Sequence, residues 1–121
     1  MKFDDFYWHD AIIKNIIIDR TKPGEIDEIY FEIKWPNESD IKTLVFENVY
    51  WANFNLNFGI ISGENILNAM ELNEDDGDLM KFYLKWKGAM DDVKLQAYKI
   101  ILNSTGGEIK ILAGKFRVNN P

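Results

Sequence analysis

The stretch DEIYFEIKW, at residues 27–35, decides the fold of this sequence. Apolar side chains occupy every second position, at Ile29, Phe31, Ile33 and Trp35, and polar or charged residues stand between them. Such alternation is typical of a β-strand with one face in a core and the other in solvent. It predicts an antiparallel sheet, in which one side of each strand faces water.

Turn signals on both sides of this strand predict neighbouring strands. Upstream, residues 11–19 are rich in Ile, a β-branched strand former, and a turn centred on Pro23 and Gly24 follows them. Downstream, the polar residues 36–40 precede a second group of strand formers at residues 41–50. The simplest arrangement of these segments is a three-stranded antiparallel meander.

The rest of the chain predicts four more strands and one helix. A change of apolar parity predicts a β-bulge near Ala97. Ser62 is a suitable N-cap, and Ile66 and Met70 follow at helical spacing, which predicts a short helix over residues 63–71. The further strands are predicted at residues 53–58, 80–87, 93–102 and 108–118.

These elements predict an α+β fold that is mainly antiparallel β. About seven strands would form a curled sheet, a sandwich or a partly open barrel, with one short helix. The length of 121 residues and the hydrophobic share of 46% fit one domain, residues 1–121, with its own core. The absence of cysteine favours a cytoplasmic protein, and we expect neither an export signal nor a membrane span.

The charge of the chain predicts its kind of partner. A formal charge of −6 disfavours binding to nucleic acid or to an anionic membrane and favours a basic protein. Residues 1–80 hold 17 acids and six bases, a net −11, whereas residues 81–121 hold three acids and eight bases, a net +5. The simpler interpretation of this uneven charge is that each strand places its charged residues on a solvated outer face. The second interpretation is that oppositely charged patches steer a basic partner, and it predicts that the acids of the first hairpin, Glu25, Asp27, Glu28 and Glu32, bind bases of that partner. On the predicted strand at 80–87 the clustered lysines are Lys81, Lys85 and Lys87.

Aromatic and amide side chains complete the predicted partner-binding site. Trp35 and Trp86 fall on the apolar parity of their predicted strands and are expected in the core. Trp8 stands beside Tyr7, and Trp51 beside Tyr50, at predicted element ends, where an exposed ring suits a partner or a sugar. The partner-binding residues predicted here are Tyr50, Trp51, Asn53, Asn55 and Asn57.

The sequence predicts no catalytic residue, no metal site and no cofactor. His9 is the only histidine, and adjacent residues on a strand point to opposite faces, so His9 and Asp10 share a site only in a turn. The acidic residues 74–78 do not fit an EF-hand, since the required first and twelfth positions would be Leu72 and Tyr83. No phosphate-binding glycine motif is present.

Three segments resemble small bacterial proteins that include immunity proteins of polymorphic or contact-dependent toxin systems. They are WHDAI at residues 8–12, PGxxD at residues 23–27 and STGGEI at residues 104–109. The resemblance implies a cytoplasmic inhibitor that binds one cognate toxin domain, often a basic nuclease, through charge and shape complementarity. It carries over no catalytic residue.

The leading hypothesis is therefore a non-enzymatic protein-binding module with one basic protein partner. The second is a small-molecule or carbohydrate-binding β-domain. It would use Trp8, Trp51 and the asparagine row, which is Asn53, Asn55 and Asn57. The third is an enzyme, such as a hydrolase, built on His9 and Asp10. A homodimer also stays open, because an unpaired edge strand is able to pair with a second copy.

Overall fold

The computed structural model describes residues 1–119, and the predicted α+β fold, mainly antiparallel β, is confirmed. A short 3-10 helix, Phe3–Asp5, precedes the first strand, and one α-helix, α1 (Gly77–Lys85), stands between the fourth and fifth strands. The strands are β1 (Ile12–Ile18), β2 (Ile29–Lys34), β3 (Ile41–Asn55), β4 (Glu64–Glu71), β5 (Gln96–Leu102) and β6 (Glu108–Asn119).

The six strands form a closed antiparallel barrel in the order β1-β2-β3-β6-β5-β4. The long strand β3 pairs with β6 from Thr43 to Asn55, but its pairing with β2 ends at Phe46, opposite Ile29. Strands β1 and β4 close the barrel through only two residue pairs. Within residues 1–119, the wall is therefore open between β2 and the second half of β3, and β1 and β4 are not paired with each other over most of their lengths.

An aromatic cluster fills one end of the barrel. Phe3 stacks on Trp8 with ring centroids 4.5 Å apart, and Trp8 lies 5.5 Å from Trp35. The Trp8 indole N–H donates to the carbonyl oxygen of Phe3 at 2.8 Å, so its polar atom is satisfied although the residue is only 3% exposed. The core position predicted for Trp35 is confirmed. Trp8, which the sequence proposed as an exposed ring, is instead a core residue.

A second apolar cluster joins α1 to the outside of the barrel and explains the parity change in residues 93–102. Leu95 and Ala97 face α1, whereas Tyr98 and Ile100 face the barrel interior. Pairing of β5 with β6 continues in register from Gln96 to Ile101. The bulge predicted near Ala97 is therefore wrong, because this strand is buried on both faces.

The predicted helix at residues 63–71 is wrong, because this segment is strand β4. Its pairing with β5 shifts between Ile66 and Asn68. This bulge separates the buried residues Ile66 and Ala69 by three positions, which imitates helical spacing in the sequence.

The predicted strand at residues 80–87 is also wrong, because α1 occupies most of it. Asp76 caps the helix by accepting the N–H of Leu79 at 3.1 Å. Leu79 and Phe82, at spacing i and i+3, face the second cluster. Trp86 therefore lies at the end of the helix and is 48% exposed, so its predicted core position is wrong.

The two strands predicted at residues 41–50 and 53–58 are a single strand, β3, which ends at Asn55. With α1 at Gly77–Lys85 and β4 at Glu64–Glu71, residues 1–119 contain six strands rather than about seven. In the same range, no helix combines the length and the apolar character needed to cross a membrane.

Candidate functional site

A bulge in β3 brings Tyr50 and Trp51 to the outer wall of the barrel. Val49 pairs with Ala113 and Trp51 with Leu112, so Tyr50 is the extra residue of β3 at this point. Trp51 packs against the α1 cluster, and the Tyr50 ring lies 6.2 Å from that of Phe82. These two residues, both predicted to bind a partner, lie between two depressions of the surface.

The first depression, here called the Asp27 groove, lies between the start of β2 and the second half of β3. It has a volume of about 330 Å³ and a mainly apolar lining that includes Ala52 and Phe54. Arg20, Asp27 and Glu28 add charged groups. Four of the predicted partner-binding residues line this groove together: Asp27, Glu28, Tyr50 and Trp51.

One edge of β3 is free along the Asp27 groove. The N–H of Val49 donates to the carbonyl oxygen of Asp27 at 2.9 Å. Beyond this bond, within residues 1–119, no strand pairs with that side of β3, while β6 pairs with the other side up to Asn55. A free edge beside an apolar groove is a template on which another chain can add a strand.

The acids at the groove are partly satisfied by contacts within the chain. Asp27 accepts the N–H of Gly24 at 3.1 Å and lies 3.7 Å from the Arg20 guanidinium. Glu28 accepts the hydroxyl of Tyr30, a bond that raises the pKa of Tyr30, and lies 3.7 Å from Arg117. Both carboxylates at the groove therefore already have partners within the chain.

The other two predicted acids do not line the Asp27 groove. Glu32 accepts the side-chain N–H of Asn15 at 2.9 Å on the outer face of β1 and β2. Glu25 is exposed in the turn before β2. Of the four predicted acids, only Asp27 and Glu28 therefore line the groove together with the aromatic residues.

The predicted asparagine row divides in the same way. Asn53 and Asn55 lie on β3 and, with Trp51, line a shallow polar depression of about 250 Å³. Asn57 lies beyond the end of β3, where its side-chain N–H donates to the carbonyl oxygen of Thr105 at 2.8 Å. Asn57 therefore braces the loop and does not line the depression.

Lys110 is an important residue at this surface that the sequence did not reveal. Its ammonium group donates to Asp76 and Asp78, each at 2.7 Å, and ties the start of α1 to β6. Burial opposes ionisation of Asp76, but the Lys110 and Leu79 hydrogen bonds outweigh it and lower its pKa. Burial likewise disfavours the charged lysine, yet its two carboxylate partners raise the pKa of Lys110. Asp76 before Leu79 was a detectable capping signal.

His9 and Asp10 do meet, because they stand in a turn. Asp10 has a φ of 68°, and His9 Nε2 lies 3.5 Å from a carboxylate oxygen of Asp10. His9 Nδ1 is 3.1 Å from the carbonyl oxygen of Leu67, and both side chains are exposed. Across residues 1–119, no three His, Cys, Asp or Glu side chains gather to hold a metal ion.

The chain matches no protein-family model and no curated protein sequence. The fold and the candidate site define a small antiparallel barrel with a free strand edge beside a groove. We therefore infer function from this geometry.

Proposed function

We propose that this protein is a non-catalytic protein-binding module that takes up an extended, basic segment of one partner protein. The observation that carries the proposal is the free edge of β3 along the Asp27 groove. A partner strand placed there would replace the missing continuation of β2 and satisfy the backbone groups of β3.

Side chains of the added strand would meet two different surroundings. Successive side chains of a strand point to opposite faces, so every second one would enter the apolar groove beside Ala52 and Phe54. Basic side chains near the mouth would meet Asp27 and Glu28. The net charge of −6 adds a long-range attraction that speeds the encounter with a basic protein.

The β3 edge is a better candidate than the second free edge, that of β1. Within the described chain, β1 pairs with β4 only at Ile12 and Ile13, so its later residues are also open on that side. This edge carries Lys14, however, which would repel a basic segment, and its exposed Ile18 is part of the lining of the Asp27 groove itself. A basic segment is therefore better matched to β3.

The particular form that we propose is an immunity-type inhibitor of a basic toxin domain, acting in the cytoplasm. It is supported by the acidic charge, by the absence of cysteine and by the three resembling segments. Occupation of the edge by a second copy is the homodimeric alternative. A carbohydrate ligand is less well supported, because Trp8 is buried and, among residues 1–119, Trp51 is the one aromatic residue that lines the polar depression.

A substitution that fills the Asp27 groove tests this proposal. Ala52 is an exposed residue of the Asp27 groove, so Ala52→Trp would occupy the space needed by partner side chains with little cost to the fold. Ala89→Trp makes the same change at an exposed site after α1 and serves as the matched control. Wild type and both variants are immobilised, exposed to lysate of the source organism at low salt, and the retained proteins are compared by mass spectrometry.

We expect one basic protein to be retained by wild type and by Ala89→Trp but lost with Ala52→Trp. Equal retention by all three proteins would show that the groove is not the binding surface. Retention of the chain itself, with the same sensitivity to Ala52→Trp, would replace the basic partner by a second copy.

A further inference from the structure

The second depression, here called the α1 cleft, lies on the other side of Tyr50 and Trp51. It has a volume of about 370 Å³ between β3 and the exposed side of α1. Tyr50 and Trp86 are each 48% exposed, and Phe82 meets Tyr50 edge to face. The residues lining the cleft are Tyr50, Trp51, Asp78, Lys81, Phe82, Lys85 and Trp86.

Two lysines of the cleft have no carboxylate partner in the described part of the chain. Lys81 and Lys85 stand one helical turn apart, an arrangement of like charges that disfavours the helix when nothing neutralises it. Asp78, the acid of the same cleft, bonds Lys110 at 2.7 Å instead. The Lys85 ammonium lies 5.4 Å from the centre of the Trp86 ring, so charge and aromatic surface are adjacent.

We propose that the α1 cleft is a second binding surface, specific for an acidic protein segment that carries an aromatic or large apolar side chain. The apolar side chain would enter between Tyr50, Phe82 and Trp86, and flanking carboxylates would pair with Lys81 and Lys85. This surface has the opposite charge preference to the Asp27 groove, and the inference does not rest on the function proposed for that groove.

Charge complementarity favours a short acidic segment over a nucleic acid. The positive charge of the cleft comes from Lys81 and Lys85 alone among its lining residues, while residues 1–80 carry a net −11 that repels a long polyanion. A peptide brings a few carboxylates and an anchoring side chain to one spot. Aromatic anchors in a partly desolvated cleft are the usual centres of binding energy.

A peptide titration tests the proposal. The probe is the capped peptide Glu-Asp-Phe-Leu-Asp-Glu, added to ¹⁵N-labelled protein while the indole N–H signals of Trp51 and Trp86 are followed. We expect saturable shifts of both signals, and a loss of affinity of about tenfold or more in K81E/K85E, because two attractive pairs become repulsive.

The matched control is K14E/K22E, which makes the same change of net charge at two exposed lysines away from α1. We expect a loss of affinity of less than about threefold in that control, since only the long-range field changes. The variants are checked for folding by circular dichroism, and K81Q/K85Q, which removes charge without reversing it, should weaken binding by an intermediate factor.

Four outcomes would overturn the proposal. They are no saturable shift in wild type, an equal loss in both charge-reversed variants, tighter binding of the probe with lysines in place of its acids, and tighter binding of a single-stranded oligodeoxythymidine. Self-association that disappears in K81E/K85E, without peptide binding, would assign the cleft to a second copy instead. None of these outcomes depends on the response of Ala52→Trp, so the two surfaces are tested separately.

Discussion

Lys110 is the residue that connects the helix to the barrel wall. Its side chain is only 15% exposed and bonds two carboxylates of the α1 start. Removal of the ammonium leaves Asp76, which is also largely buried, without its charged donor. The position is therefore more sensitive than a surface ion pair.

We expect Lys110→Met to lower the free energy of unfolding by about 1–2 kcal/mol at pH 7, near the lower end of the range for charged hydrogen bonds because Asp78 is open to solvent. Urea unfolding followed by circular dichroism measures this change. Lys99→Met is the control, since Lys99 and Glu108 form a more exposed pair. Equal losses in the two variants would contradict a special role for Lys110.

The same interaction predicts a dependence on pH. Asp76 has a lowered pKa, so its stabilisation is present above the ordinary value of 3.8 and is lost as pH falls through the lower folded value. Lys110 has a raised pKa, so its stabilisation is present below 10.5 and is lost as pH rises through the higher folded value. The stability difference between wild type and Lys110→Met should be constant between these limits and shrink below pH 3.8. A difference that persists in stronger acid would contradict this assignment.

Replacement of two glycines by alanine should have opposite effects on the stability of the protein. A Cβ at Gly107 would lie 2.5 Å from the carbonyl oxygen of Asn55, so Gly107→Ala should cost about 1–3 kcal/mol through displacement of backbone. A Cβ at Gly77, in the first turn of α1, meets nothing, so Gly77→Ala should stabilise by about 0.4–1 kcal/mol. Thermal unfolding of both variants measures the effects. A Gly107→Ala variant of undiminished stability would show that residue 107 does not lie so close to the Asn55 carbonyl.

At the scale of elements, one face of α1 holds the helix against the barrel. Leu79 is buried against the outer side of β5 and β6, whereas Leu84 is 74% exposed on the same helix. We expect Leu79→Ala to cost about 2–3 kcal/mol and Leu84→Ala less than about 0.5 kcal/mol. Urea unfolding compares the two. Similar costs would contradict the helical face, and a strand over residues 80–87 would predict a large effect at Leu84.

The sequence predicts strands well where one face alone is buried, as at β2, whose alternation is undisturbed. The prediction fails where a bulge, or burial on both faces of a strand, changes the spacing of the apolar residues. In β4, the bulge near Asn68 gives a helical spacing to a strand, and in β5 burial on both faces imitates a bulge. In α1, the alternation of Phe82, Leu84 and Trp86 concealed a helix, although Asp76 marked its start.

The candidate site was predictable only in part, for a related reason. The aromatic residues Tyr50 and Trp51 and the acids Asp27 and Glu28 were identified from their types, and the groove brings them together. Their proximity depends on where β2 stops along β3, which no local pattern encodes. The contributions of Ala52 and Lys110 depend on the same long-range pairing.

At the scale of the whole molecule, the N-terminal segment closes the barrel. Trp8 packs on Phe3 and Trp35 at one end, so its removal should open the core to water. We expect Trp8→Ala to lower the free energy of unfolding by about 3–5 kcal/mol. Tyr7→Ala changes the exposed neighbouring ring and should have little effect. A mild effect of Trp8→Ala, measured by urea unfolding, would contradict the closed end.

The opposite end of the barrel gives the protein its proposed role. There β3 extends past β2, and the groove, the free edge and two acids lie in one place. The aromatic cluster fills the end around Trp8. We propose that a partner strand is added at this point to the part of β3 that β2 leaves unpaired.

The most direct test is a titration of ¹⁵N-labelled protein with the peptide Lys-Val-Lys-Val-Lys-Val, followed through backbone amide signals. We expect saturable shifts at residues 50–54 and at Asp27 and Glu28, which are lost in Ala52→Trp and retained in Ala89→Trp. Shifts confined to the open edge of β1, or shifts at β3 that survive Ala52→Trp, would contradict it.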